Sequence, residues 1–401
     1  MNTDDFKPVL RFAVMSDTHV GDPGDERCER IRRIIPLSYE IAENNAFYKN
    51  LDAVVFVGDM TDEGNEVQFG AFYDSATAFL RPETRLIATV AKGHDCSVMG
   101  KSFLGYFQAK TGLPVNFDTV INGFHFIGIS TCDEEGIYYN EAQREFLKGS
   151  LEKASAEDPE KPVFVFHHEH VKHTVYGSSD FDGWGNDYFS DILFEYPQIV
   201  DFSGHSHYPL NDPRSIWQGE ITATGSGSVH YAEFTADGER RIHPDGFREI
   251  AQFLIVEADA DNNVRLRGFD GLSGALLCEY LIKNPSDADA REYTPEKIEA
   301  RAKAPFFEAG AKPVISEENG DIHITIPQAV SADGEIIFAY RLKSFSETGD
   351  ELENLRIINK YWTGKPDKEI VFTLTDESAK RISITAENAL GMKSAPLEAT
   401  I

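Results

Sequence analysis

The chain has 401 residues, 41% hydrophobic and 11% aromatic, and a formal charge of −29 from 38 basic and 67 acidic side chains. That length is a prior for about two or three domains. The apolar content is ample for a buried core, which excludes a disordered chain, a collagen, a coiled coil and a disulfide mini-protein, and a surface this acidic repels polyanions, which excludes duplex nucleic acid as the main partner.

No stretch approaches the roughly 20 apolar residues that cross a bilayer, and Met1 to Lys7 lacks a basic-then-apolar leader, so no membrane span is expected. Cys28, Cys96, Cys132 and Cys278 form no CxxC pair and read as reduced thiols. This points to the cytoplasm, with an exported protein that has lost its leader as the alternative.

In chain order, an apolar run from Val9 to Met15 breaks into Ser16-Asp17-Thr18-His19, and a helical stretch follows from Glu26 to Lys49. A β-rich run, Ala53 to Val57, ends at Gly58-Asp59 and leads to a helix over Glu66 to Leu80. Leu86 to Val90 ends at Gly93-His94-Asp95. Such alternation of short apolar runs with helices predicts an α/β core. Asn122-Gly123, between alternating apolar residues from Thr119 to Ile129, predicts a hairpin, so the sheets are mixed.

A helix from Asn140 to Lys153 precedes the run Pro162 to Phe166, which ends in His167-His168-Glu169-His170. Gln198 to Phe202 ends in Ser203-Gly204-His205-Ser206-His207, and Ile221–Thr224, Phe253–Val256 and Val264–Phe269 are further strands. The polar stretch from Asn284 to Ala304 reads as a connector. Beyond it, Ile322–Ile326, Ile336–Leu342, Ile370–Leu374 and Arg381–Glu387 have the rhythm of a small β-sandwich. The expected organisation is a catalytic domain over residues 8–285, a connector over 286–304 and a sandwich over 305–401.

Asp17 and His19, Asp59, His94 and Asp95, His167 or His168, and His205 and His207 all follow predicted strands, where open α/β sheets place their crevices. Five strand ends supplying Asp and His point to one shared site. Carboxylate oxygens mixed with imidazole nitrogens suit zinc, manganese or iron better than calcium or magnesium. A pair of such ions bridged by a carboxylate needs about this many ligands, and it would clamp a phosphoryl group and activate a water.

This ordered set, from Asp17 to His207, resembles the calcineurin-like metallophosphoesterase family, of the purple acid phosphatase and class III cyclic-nucleotide phosphodiesterase type. The resemblance implies two mixed β-sheets sandwiched between helices and a dinuclear centre that hydrolyses small phosphate esters. One ion would take Asp17, His19 and His207, with Asp59 bridging, and the second would take Asp59, His205 and a histidine of the 167–170 cluster. His168 is preferred for that role and His167 is the alternative. His94 would lie near the substrate phosphate and Asp95 would orient it. Two divalent ions would add about +4 in the pocket, so an acidic protein could still hold a phosphate ester.

One departure stands out: the family's third motif carries an asparagine ligand where this chain has Gly93. A weakened second metal position follows, and the alternative reading is a metal or phosphate-ligand binder without turnover. Asp62 is expected to hold its loop through backbone N–H groups, and Tyr176, Trp184 and Asn186 lie in a stretch that could rim the pocket. Cys96 is a candidate for oxidation or metal sensitivity, Lys92 reads as exposed, and Gly225-Ser-Gly-Ser228 resembles a phosphate-cradling turn only superficially. The last hundred residues hold one histidine, His323, so no chemistry is expected there; their strand rhythm resembles a fibronectin type III or immunoglobulin-like domain with Tyr361 and Trp362 as core aromatics.

Overall fold

The computed structural model describes residues 6–131, 137–318, 320–331 and 335–401. Cys132 and the first five residues lie outside this set. The chain divides into two compact units, the first built mainly from residues up to Pro295 and the second from Glu296 to Ile401.

The first unit runs β1 (Pro8–Met15), α1 (Glu26–Glu43), β2 (Ala53–Val57), α2 (Glu66–Thr77), β3 (Arg85–Thr89), α3 (Ser102–Thr111), β4 (Phe117–Ile121), β5 (Phe124–Gly128), α4 (Glu141–Glu157) and β6 (Val163–Phe166). It continues through β7 (His170–Val171), β8 (Gly185–Asn186), α5 (Ser190–Leu193), β9 (Ile199–Ser203), β10 (Ile216–Gln218), β11 (Thr222–Gly225), β12 (Phe234–Ala236), β13 (Glu239–Ile242), β14 (Gln252–Asp259), β15 (Val264–Asp270) and β16 (Leu276–Ile282). Two six-stranded sheets result, ordered β16-β15-β14-β1-β2-β3 and β10-β11-β9-β6-β5-β4. Both are mixed: β1, β2 and β3 are parallel while β14 runs antiparallel to β1, and β5, β6, β9 and β11 are parallel while β4 and β10 are antiparallel edges.

Phenylalanines fill the space between the sheets. Phe12 on β1 meets Phe126 at 4.8 Å and Phe164 at 4.9 Å between ring centroids, edge to face, and Phe166 stacks on Phe202 at 5.3 Å. Outer faces are closed by helices: Ile31, Ile34 and Ile35 of α1 with Phe69 and Phe72 of α2 cover one sheet, and Leu147 and Leu151 of α4 with Leu193 of α5 cover the other. The central strand β2 is buried on both faces, which is why it reads as an unbroken apolar run rather than an alternation.

Two expected helices are shorter than the sequence pattern suggests. α1 stops at Glu43 because the Asn45 side chain accepts the N–H groups of Phe47 and Tyr48, both at 2.9 Å, and turns the chain, and α2 stops at Thr77. α3, β10 and β16 had no clear signal: α3 carries Gly105 in its middle, and β16 is a half-exposed edge strand with no apolar alternation. The polar connector contains α6 (Pro295–Arg301).

In the second unit, β17 (Val314–Glu318), β18 (Asp321–Pro327) and β21 (Glu369–Leu374) form one antiparallel sheet, and β20 (Glu351–Ile358), β19 (Ile337–Phe345), β22 (Arg381–Asn388) and β23 (Leu397–Thr400) form the other. Inward residues of both sheets, among them Ile324, Leu342, Phe372 and Ile384, make one buried cluster, so the sheets pack face to face. Tyr361 and Trp362 are buried, but neither belongs to that cluster.

Candidate metal centre

Chain topology delivers the polar residues to one place: every parallel strand of both sheets points its C-terminal end at the same crevice. The loops leaving β1 and β2 zip together, with Asp17 N–H on the Gly58 carbonyl at 3.2 Å, His19 N–H on the Asp59 carbonyl at 3.0 Å and Val20 N–H on the Met60 carbonyl at 3.0 Å. On the other sheet, Gly204 N–H donates to the His168 carbonyl at 2.9 Å. The result is three groups of ligand-type side chains: Asp17, His19, Asp59 and His207; Asp59, His168 and His205; and His19, Asp62 and His94. In each, the ligand atoms lie within 4.8 Å of one another.

Five of these positions, Asp17, His19, Asp59, His205 and His207, have left-handed backbone, with φ of 52°, 43°, 47°, 70° and 57°. Non-glycine residues held there cost roughly 1–3 kcal/mol each, and such strain gathers where a constellation is over-determined by its surroundings. Glycine is needed beside them for a different reason. A Cβ at Gly58 would sit 2.6 Å from the His168 ring nitrogen Nδ1, and one at Gly204 would sit 2.4 Å from Asp17 Oδ2.

Asp17 and Asp59 are buried, and burial alone would raise both carboxyls. The neighbouring imidazoles, His207 for Asp17 and His168 for Asp59, more than offset this and hold both well below the usual carboxylate range. His207 Nε2 lies 3.0 Å from Asp17 Oδ1, and His168 Nε2 lies 3.2 Å from Asp59 Oδ2. Burial lowers His19 well below its ordinary value and takes His205 down to about 4, so both are neutral bases at pH 7.

These residues fit a divalent ion. His168 gives its Nδ1 to the Val57 carbonyl at 2.8 Å, which fixes the tautomer and leaves Nε2 buried without a hydrogen bond. His19 Nε2 and His207 Nε2 converge to 3.1 Å beside two ionised carboxylates. Mixed imidazole and carboxylate donors are the chemistry of zinc, manganese and iron sites.

His167 points elsewhere. Its Nε2 lies 2.8 Å from Asp201 Oδ1 inside the core, so of the two adjacent histidines it is His168 that joins the cluster. His170 is held between the Ser203 and Ser206 hydroxyls, both at 2.7 Å. His94 stands at the mouth with its ring 4.3 Å from that of His19.

Asp95 does not hold His94. Its carboxylate accepts from Thr61 N at 2.9 Å, Thr61 Oγ1 at 3.0 Å and Ala91 N at 3.1 Å, tying the loops after β2 and β3 together. Burial, and then the Asp59 charge, push it up to about 7. The group that fixes the His94 ring is the Asp62 carbonyl, which takes the Nδ1 proton at 2.8 Å. Asp62 also departs from the expected loop-holding role: its carboxylate faces the mouth, 3.8 Å from His19 Nδ1, 3.9 Å from His94 Nδ1 and 3.8 Å from Arg27. A Cβ at Gly93 would meet nothing within 4 Å.

Trp184 rims the crevice, its ring 4.8 Å from His205. Tyr176 packs on Tyr208 at 4.0 Å and the Asn186 side chain accepts the Tyr188 N–H at 3.2 Å. Lys92 bonds the Ile137 carbonyl and is half-buried. Cys28, Cys96 and Cys278 are unpaired, and burial followed by the Asp95 charge pushes the Cys96 thiol up to about 12, which removes the reactive thiolate that oxidation or metal capture needs.

Gly225-Ser-Gly-Ser228 contributes to the crevice, which its superficial likeness to a phosphate-cradling turn does not convey. The segment follows a parallel strand, β11, as the other ligand loops do, and Ser228 Oγ accepts the N–H groups of His230 at 3.0 Å and Tyr231 at 3.2 Å. Tyr231 lies 4.0 Å from the His207 ring, and His230 lies 5.5 Å from that of His19. Position after a parallel strand was the signal that could have found them.

The sequence profile of the calcineurin-like phosphoesterase family matches residues 10–209. Among solved structures, the chain is similar to GAP50, the anchor in the inner membrane complex of Plasmodium, with 13% identity, 69% of this chain and 89% of that chain covered, and a TM-score of 0.47. It is also similar to the purple acid phosphatase PPD1 of yellow lupin (Lupinus luteus) seeds, with 14% identity, 69% of this chain and 54% of that chain covered, and a TM-score of 0.46. No curated protein matches the chain. No helix among the described residues is long and apolar enough to cross a membrane. With the profile, the strand-end crevice and its buried His/Asp clusters in agreement, residues 10–209 are a calcineurin-like phosphoesterase domain.

Proposed function

We propose that the protein is a metal-dependent hydrolase of phosphate esters with two metal positions that share Asp59. The observation that carries this reading is that Asp59 belongs to two ligand groups at once, one with Asp17, His19 and His207 and the other with His168 and His205. Manganese, iron or zinc bound there would polarise the phosphoryl oxygens and make a water nucleophilic near neutral pH.

The chain's own residues supply the rest. The seven-residue turn Gly58 to Gly64 and the glycines at 58 and 204 hold the ligands close enough to share ions. His94, with Nδ1 fixed by the Asp62 carbonyl, has Nε2 free to hold a phosphoryl oxygen or to protonate the leaving alcohol. Gly93 leaves the Asp59, His168 and His205 group one donor short of the family pattern, so its ion is the more weakly held. That shortage favours one other reading, a binder that retains a single metal and turns nothing over.

Turnover of bis-p-nitrophenyl phosphate and p-nitrophenyl phosphate, measured with added manganese and again after chelation, tests the proposal. Metal-dependent hydrolysis of either ester is expected, and no hydrolysis at full metal occupancy would leave the binder. Gly93→Asn, which has open space around the new side chain, should raise occupancy of the weaker position. No change in metal stoichiometry would mean that another group already fills that coordination position.

A further inference from the structure

The crevice has a further wall beyond the ligand loops. It is formed by residues 226–243 and 247–250, and its centre is Tyr231, whose ring lies 4.0 Å from His207, 4.9 Å from His230, 5.4 Å from His243 and 6.1 Å from Phe247. This wall is built rather than loose. Arg30 of α1 donates to the carbonyls of Val229 at 2.8 Å, His230 at 2.7 Å, Ile250 at 2.7 Å and Arg248 at 3.0 Å, clamping both of its segments to the helix. Ser228 ties the same segment to the ligand loop through the Asp17 carbonyl at 3.3 Å.

The wall carries both signs of charge, Arg240, Arg241 and Arg248 with Glu233, Asp237, Glu239 and Glu249, in a chain of charge −29. Most arginines here are neutralised by carboxylates: Arg11 and Arg265 by Glu257, Arg81 by Glu43, Arg144 by Asp191. Arg27, at the flank of the wall, is taken up by Asp25. Arg248 is different. Its guanidinium lies 5.3 Å from the Phe247 ring centroid, and among the described residues no carboxylate is within ion-pair distance of it. Two acids of the crevice are engaged elsewhere, Asp62 at 3.8 Å from Arg27 and Glu233 at 3.4 Å from His243. Beside Arg248, His230 keeps a buried Nδ1 with no hydrogen-bond partner. An exposed guanidinium without an ion pair, on a backbone clamped by Arg30 and next to an unsatisfied ring nitrogen near a phosphate-type site, can recognise an anion.

We infer that Arg248 and His230 form a second anion subsite beside the metal centre, and that the preferred substrates are phosphate esters carrying another anionic group, a carboxylate or a second phosphoryl, on the alcohol side. This deepens the proposed hydrolase and rests on the metal centre being the phosphate site. Arg248 supplies the charge and His230 a directional N–H.

Titration calorimetry of the manganese-loaded chain tests this with two matched pairs: glycerol phosphate against phosphoglycerate, and fructose monophosphate against fructose bisphosphate. The member with the second anion should bind about tenfold tighter, with an advantage that shrinks as salt is raised. Arg248→Ala and His230→Ala should each bring the ratio toward one, and Arg248→Lys should keep part of it. A gain for fructose bisphosphate alone would assign the subsite to a phosphoryl group, and a gain for phosphoglycerate alone to a carboxylate. Equal affinities within both pairs in the native protein, or a ratio unmoved by Arg248→Ala in a folded variant, would overturn the inference. Absence of bis-p-nitrophenyl phosphate turnover by the same loaded protein, with the pairs still discriminated, would instead remove the hydrolase reading and leave the subsite standing.

Discussion

The two units solve opposite problems. In the first, buried polar side chains gather at the strand ends, and among the described residues every non-glycine position with left-handed backbone falls before Asn263, five of them at ligand positions. In the second, strands alternate inward apolar and outward polar residues, as in the pattern of β22, and no ligand group forms among the described residues. Local strain and buried charge therefore mark the candidate site, and regular alternation marks the packed sandwich. Both units draw stability from packed apolar clusters, but only the first gives part of it up, in strained backbone and desolvated carboxylates, to hold a constellation in place.

That contrast can be broken or sharpened by substitution. The largest effect belongs to Asp59→Ala, which should empty both metal positions and abolish turnover; elemental analysis that finds full metal content would refute the shared role. His94→Ala should retain metal and slow hydrolysis by about 10²-fold or more, the range for loss of a positioned acid–base group; steady-state kinetics with metal analysis reads both. In the other unit, Ile324→Ala removes a fully buried side chain and should cost about 2–5 kcal/mol in denaturant unfolding of that unit, with metal content unchanged. Gly58→Ala is the smallest and the most diagnostic. Its φ of 74° and the 2.6 Å approach to His168 should cost about 1–3 kcal/mol and loosen metal at the Asp59, His168 and His205 group first.

Much of the site was legible because its grammar is local. Apolar runs such as Ala53–Val57 ending in Gly-Asp, or Ile199–Phe202 ending in Gly-x-x-His, place ligand residues at strand ends without knowledge of the tertiary structure. What was not legible depends on contacts far apart in sequence. That Asp95 braces Thr61 while the Asp62 carbonyl holds His94 follows from how two loops cross, and no spacing encodes it. The orientation of His167 toward Asp201 and of His168 toward Asp59 is set by which face of the β6 end meets the crevice, and strand periodicity is lost where the strand stops. The Tyr231 wall was passed over because its only signal was position after β11, outweighed by a superficial Gly-Ser motif. An edge element such as β16 stayed hidden since its sequence, Leu276 to Ile282, lacks the apolar alternation that marks a half-buried strand.

The central claim is that Asp59 serves two ions at once, and metal stoichiometry measures it. Protein prepared without metal-affinity resin, stripped, reloaded with excess manganese and passed through a desalting column should carry two ions per chain, falling to none in Asp59→Ala. One ion per chain in the native protein at saturating manganese, or one ion surviving in Asp59→Ala, would contradict the account.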